Sequence, residues 1–348
     1  MTELTGAEVV RRVNILKMMR SNIEQIWNRV ERLIMPLRVG NMYQRPASEQ
    51  SIEWHRDEVF DSTAIHAAQT FAANIHGIMT NPAYKWFDYL FRDKALRQDP
   101  AARDWLQQCT EIAYEELYDS NFDQEISSAF QDLVGLGNTI VVSEVENEDP
   151  DNWKGFNYLT APVKEIFFER DHRGAMYRFY RWLEWTAVEI KTKWTDTKKP
   201  LPLEIEECFK EGGNPDKKFT VIFCVYFRPD KAGNTGSLVP LSKEERPFGS
   251  KYVLHQSGDQ LGDTNGYYEM PAHHCPWEKT SGSMWGHGPA MVMVPTVEYI
   301  NSWLEMQDMA IRKMVDPPLL VRERGLMSDL NQKPGQFTLV HDPERDVK

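Results

Sequence analysis

The sequence predicts an α+β fold. Apolar residues recur at helical spacing in successive segments as far as Leu136, the pattern changes to β-branched alternation after Gly137, and a long helical run from Pro289 to Val315 follows the strands. The helical region thus carries a small sheet, and a compact β segment is inserted before the long helix.

The first helix opens at Thr5-Gly6-Ala7-Glu8, a capping-box pattern, and carries Val9, Val13, Leu16, Ile23, Trp27, Val30 and Leu33 on one stripe before Pro36. A link at 40–51 leads to a second helix with the stripe Phe60, Ala64, Ala67, Phe71, Ile75 and Ile78, ending at Asn81-Pro82. Asp99-Pro100 supplies a cap and a first-turn proline for a third helix bearing Leu106, Cys109, Ala113 and Leu117. A fourth runs from Asp123 to Leu136. Gly135-Leu136-Gly137 precedes a strand instead of following one, so it reads as a helix C-cap and not as a phosphate-cradling loop. Strands follow in NTIVVSEVEN and in FNYLTAPVKEIFFERDHRGAMYRFYRWLEW, the latter broken by a turn at His172-Arg173-Gly174. TAVEIKTKW is a short helix and the Lys/Pro-rich KKPLPLEIEE a boundary. Beyond it lie the strands FTVIFCVYF and KYVLHQ, with an Asn265-Gly266 hairpin predicted before YYEM.

The last helix has sharply set ends. Pro289 suits a first-turn position, while Pro317 and Pro318 cannot continue a helix. The run spans about 40 Å at about 1.5 Å per residue, and Pro295 kinks it or marks its start. Val297, Ile300, Trp303, Leu304, Ala310, Ile311 and Met314 share one arc, of which Val297, Ile300, Leu304, Ile311 and Met314 are the candidate packing residues. Glu298, Asn301, Ser302, Glu305, Asp308 and Arg312 take the other; Glu298 and Glu305 lie within about 20° of each other, with Asp308 about 60° further round. These acids could face water or pair locally, Asp308 with Arg312 at i, i+4.

The 348 residues are 41% hydrophobic and 11% aromatic, enough for substantial cores, and the formal net charge of −12 argues against binding nucleic acid by neutralising phosphates. Four cysteines without C-x-x-C spacing suggest a reducing compartment. No run of about 18 apolar residues spans a membrane, and MTELTGAEVVRR has no signal-peptide pattern. Candidate chemistry is sparse. His273-His274-Cys275 are adjacent and cannot converge on one ion without backbone contortion. His55 and His66 are about three turns apart, roughly 16 Å. Glu144 to Asp151 lacks calcium-loop spacing, and no elbow presents Ser62 or Thr63 as a nucleophile. The expectation is no catalytic residue, no metal site and no cofactor.

Three blocks carry a resemblance: WHRDEVFDSTAIHAAQTFAANIHGIMTNPAYKWFDYLF, CPWEKTSGSMWGHGPAMVMVP, and the long helix ending in DPPLLV. Together they resemble the portal, or head-to-tail connector, proteins of short-tailed tailed phages, with Trp285 where the family's turn would carry Tyr. The resemblance implies a structural protein of about twelve subunits closed into a ring at one capsid vertex of the virion, assembled in the host cytoplasm. Its implied partners are other copies of itself, the major capsid protein, the terminase packaging motor, a tail adaptor, and double-stranded DNA that passes without sequence-specific binding. It implies a wing over 1–180, a first stem helix over 181–195, a clip over 196–280, the second stem helix over 281–316, and over 317–348 the start of a return into the wing, with no residues for the tunnel loop and crown. The polar arc with Glu298, Glu305 and Asp308 would then line the channel, repelling DNA so that it slides. The competing classes are a phage-encoded nuclease or hydrolase using His273, His274 and Cys275, and a monomeric adaptor or scaffold that binds through the β segment.

Overall fold

The computed structural model describes residues 4–36, 59–145, 153–195, 200–234 and 241–315. Helix α1 (Gly6–Leu33) starts where the Thr5 hydroxyl accepts the Glu8 N–H at 3.4 Å, but the Glu8 carboxylate serves Arg11 and Arg12, so only the first half of the predicted capping box forms. Helix α2 (Thr63–Met79) begins after Phe60, and α3 (Lys94–Gln98) and α4 (Pro100–Asp119) are capped by Asp93 and Asp99. Helix α5 (Phe122–Leu136) lies against α2 and ends at Gly137, whose φ of 69° is the left-handed C-cap conformation.

Two antiparallel sheets follow. The smaller has the order β2 (Phe156–Thr160), β1 (Asn138–Val145), β8 (Ala272–Pro276); the larger runs β3 (Ile166–Arg170), β4 (Met176–Thr186), β5 (Lys218–Phe227), β6 (Phe248–Leu254), β7 (Gln260–Tyr267). Helix α6 (Ala187–Lys193), with the full capping box of Thr186 and Glu189, packs on β4, and α7 (Leu203–Glu206) is a single turn. Residues 181–186 are therefore the end of β4, and the larger sheet runs across the divisions expected at 180 and 196. Helix α8 (Pro289–Val315) follows the smaller sheet and continues through Pro295.

Both faces of the larger sheet are buried, which is why FTVIFCVYF is apolar almost throughout. Alternate residues of β5 serve different cores: Ile222, Cys224 and Tyr226 meet Val9 and Val13 of α1, while Val221, Phe223 and Val225 join the main core with Trp27, Val30 and Leu33. One helix thus serves both. Its Arg20, 2% exposed, donates to the carbonyls of Val163 and Lys164 at 3.2 and 2.6 Å and lies 4.0 Å over the Phe167 ring.

The Asn265-Gly266 hairpin does not form. Both residues sit within β7, opposite Ser250 and Gly249, and the β6–β7 turn is at 255–259, where Gly258 has φ 76°. Glycine at 266 answers a close approach: a Cβ there would lie 2.2 Å from the Lys243 carbonyl oxygen.

Candidate assembly surface

The root of α8 is built from the Trp-Gly-His-Gly-Pro segment and the end of α5. A Cβ at Gly288 would lie 2.6 Å from the Gly137 nitrogen, and one at Gly286 2.6 Å from the Gly137 oxygen, so the two backbones touch as only glycines allow. Asn138, wholly buried as the first residue of β1, joins them. Its amide nitrogen donates to the carbonyls of Leu136 and Gly286 at 2.9 and 3.0 Å, and its oxygen accepts the Gly286 N–H at 2.7 Å and His274 Nε2 at 3.0 Å. His274 then has Nδ1 free to accept from Arg170 at 2.6 Å, which fixes the neutral tautomer. Burial, then the nearby Arg170 and Lys279 charges, push its pKa down to about 3. Trp285 closes the pocket, with ring centroids 5.1 Å from Trp27 and 4.8 Å from Phe168.

Strand alternation separates the three residues that tempted a metal or hydrolase assignment. His273 and Cys275 occupy the exposed face of β8, His273 beside Ser143, while His274 points to the opposite side. Among the described residues no group of three or more His, Cys, Asp or Glu is arranged to hold a metal ion. His66 is exposed on α2, whereas His55 lies outside the described residues, as do 146–151 of the acidic run, Pro317 and Pro318, and the segment 317–348.

Along its shaft, α8 turns its two arcs in an unexpected direction. The side toward the body buries Ala290, Met291 and Val294, then half-buries Val297, Glu298, Asn301, Leu304, Glu305 and Asp308. Glu298 binds Arg29 of α1 through both carboxylate oxygens, at 2.7 and 2.5 Å, with Arg32 3.9 Å away; these guanidiniums hold its pKa below the usual carboxylate value, the Arg29 hydrogen bond contributing most. Asn301 accepts the Phe60 N–H at 2.7 Å. Asp308 pairs with Arg312 at 2.8 Å. Of the candidate packing residues, Val297 and Leu304 face the body, Ile300 and Met314 are exposed with Tyr299, Trp303, Met306 and Met309, and Ile311, one heptad on from Leu304, is exposed because no described residue packs on that end of the helix. The polar arc thus docks on the chain's own α1 through Arg29 and Arg32, and apart from Val297 and Leu304 the apolar arc is exposed. From Met309 onward every described side chain is exposed, so the tip of the helix stands clear of the other described residues.

Helix α2 has a second bare surface. It contains no Asp, Glu, Lys or Arg, yet Ala72 alone among its residues is buried, and Phe71, Ile78 and Met79 are exposed. The predicted stripe is split: its Ala64 and Ile75 turn inward with Ala68 and Ala72, while its Ala67, Phe71 and Ile78 turn out. Of these, Phe71 packs edge-on against Trp277 at 5.7 Å between ring centroids.

Among the described residues, no helix is long and apolar enough to cross a membrane. The chain is similar to the probable portal protein of Bordetella phage BPP-1, 23% identical over 318 residues that make up 90% of this chain and 54% of that protein. It spans about half the length of that curated relative. A family model described as bacteriophage head to tail connecting protein matches residues 7–347, and on that match over nearly its whole length the chain belongs to the bacteriophage head-to-tail connecting proteins.

Proposed function

We propose that the chain is a structural portal subunit, of which about twelve copies close into a ring at one capsid vertex of the virion. In this reading the rings assemble in the host cytoplasm, the major capsid protein holds the ring, and the terminase motor and then the tail adaptor dock on it. Double-stranded DNA passes through without sequence-specific binding, and a separate ATPase drives the movement, the subunit itself having no catalytic role. The observation that carries the proposal is the bare apolar arc of α8, from Tyr299 to Met314, on a member of a connector family. A subunit with such a surface needs neighbours to cover it.

The channel wall in this reading uses Glu305 and Asp308, each only half-buried against the body and so still open to solvent on one side. Glu298, held by Arg29 and Arg32 within the subunit, contributes to the shaft's attachment. The formal charge of −12 per chain, repeated around a ring, favours repulsion of DNA over capture. Native mass spectrometry tests the ring: the expected species is a closed oligomer of about twelve chains, and monomer alone over a wide range of concentration and salt refutes it. For the channel, Glu305→Lys combined with Asp308→Lys should leave the ring intact but make it retain duplex DNA, more weakly as salt rises. Unchanged DNA affinity at low salt removes these carboxylates from the wall.

A further inference from the structure

The uncharged outer face of α2 is the second surface that needs a partner. At helical spacing, Ala67, Thr70, Asn74 and Gly77 form an outward row of small or short side chains flanked by Phe71 and Ile78, and a Cβ added at Gly77 would meet nothing within 4 Å. The outward arc of α8 is the converse, a row of long, bulky side chains at Tyr299, Trp303, Met306, Met309 and Met314. Its charged residues up to Asp308, namely Glu298, Glu305 and Asp308 itself, all lie toward the body.

We propose that the outer arc of α8 in one copy packs against the outer face of α2 in the next copy, Tyr299, Trp303 and Met306 seating between Phe71 and Ile78 over the small-residue row. This rests on the ring reading above and names its contact. Three observations select α2 as the occupant. Over the stretch from Tyr299 to Met306 the outward arc carries no formal charge, and neither does α2, so no ion is desolvated without a partner there; Arg312 and Lys313 lie beyond it near the tip. Small residues on one helix let bulky ridges of the other approach to about 8–10 Å between axes. The third concerns symmetry: two α8 arcs facing each other would close a two-fold dimer, whereas a ring grows through two different surfaces on each subunit. At about 25 Å for α2 against about 40 Å for α8, the shaft covers the whole partner helix, and its methionines adapt to an imperfect fit.

Disulfide trapping tests the contact in the full chain. Cys109→Ser and Cys275→Ser first remove the thiols that are not buried. Cysteines are then placed in pairs, one at 70, 74 or 77 and one at 303, 306 or 310, all exposed positions outside both cores. Under mild oxidation at least one double variant should give a ladder of covalently linked chains, while neither parent single variant links at all. Covalent dimers from Met306→Cys alone would show α8 meeting α8 and overturn the proposal. So would an assembled ring, confirmed by native mass, in which no pair links, or in which the pair closes only within one chain. Those three results leave the ring standing; a protein that stays monomeric throughout removes the ring and this contact together.

Discussion

Replacing Asn138 by alanine removes one side chain that holds three segments together. The Leu136 carbonyl keeps the Trp27 indole N–H at 3.0 Å, so it is not orphaned. The Gly286 N–H, the Gly286 carbonyl and His274 Nε2 each lose the bond that Asn138 supplies, in a site the side chain fills completely. An unmet buried polar group costs about 1–3 kcal/mol, so three such losses, eased by some relaxation, predict a destabilisation of about 3–6 kcal/mol. Urea denaturation followed by tryptophan emission, to which buried Trp27 and Trp285 contribute, measures it. Asn138→Asp is the discriminating control: it keeps the acceptor for Gly286 and His274 but sets a carboxylate against two carbonyl oxygens, so its penalty should shrink on acidification while that of Asn138→Ala does not. A loss below about 1 kcal/mol for Asn138→Ala, outside the range expected for even one orphaned group, would refute the claim that this network anchors the long helix.

His274 has its pKa lowered from 6.5 to about 3, so the unfolded chain binds its proton first; stability present above pH 6.5 should fall as pH drops toward about 3, and His274→Gln should flatten that part of the profile. Arg20→Met withdraws the donor from the carbonyls of Val163, Lys164 and Ile166 and should cost about 2–5 kcal/mol in the same denaturation assay; a neutral result would mean that the guanidinium's desolvation offsets its bonds. A double-mutant cycle of Arg29→Ala and Glu298→Ala should give a coupling of only about 0.5–1 kcal/mol, weaker in high salt because both groups are partly exposed. The same variants should speed hydrogen exchange around Asn301, and unchanged exchange would mean the pair does not hold the shaft.

Most helices and strands were legible because their signals are local. Asp99-Pro100, Gly137 and Pro289 each mark an end through their own backbone or cap chemistry, and the structure sets boundaries beside all three. What a helical wheel cannot reveal is which side of an amphipathic helix has a partner in the same chain. The arc of Glu298 and Glu305 reads as solvent-facing until Arg29 and Arg32, far away in sequence, are brought opposite it. Asn265-Gly266 misled for a related reason: the dipeptide suits a hairpin, but close packing against the Lys243 backbone also demands glycine, and only tertiary structure tells the two apart. Asn138 carried no recognisable pattern. An asparagine directly after a C-cap glycine is an ordinary turn residue, and its role appears only when Gly286 and His274 arrive beside it.

That arrival has a consequence for the order of events at the ribosome. Strand β1 has one neighbour in β2, but its other edge stays unpaired until residues 272–276 are made, since Asn138 lies opposite Pro276 and Val142 opposite Ala272. The smaller sheet is therefore a late clasp, one of the long-range closures that slow folding. The exposed arc of α8 is synthesised after the last strand of that clasp, so it emerges only once every described strand has been translated. Sequence order thereby leaves the described strands free to pair before that arc is available to a neighbour.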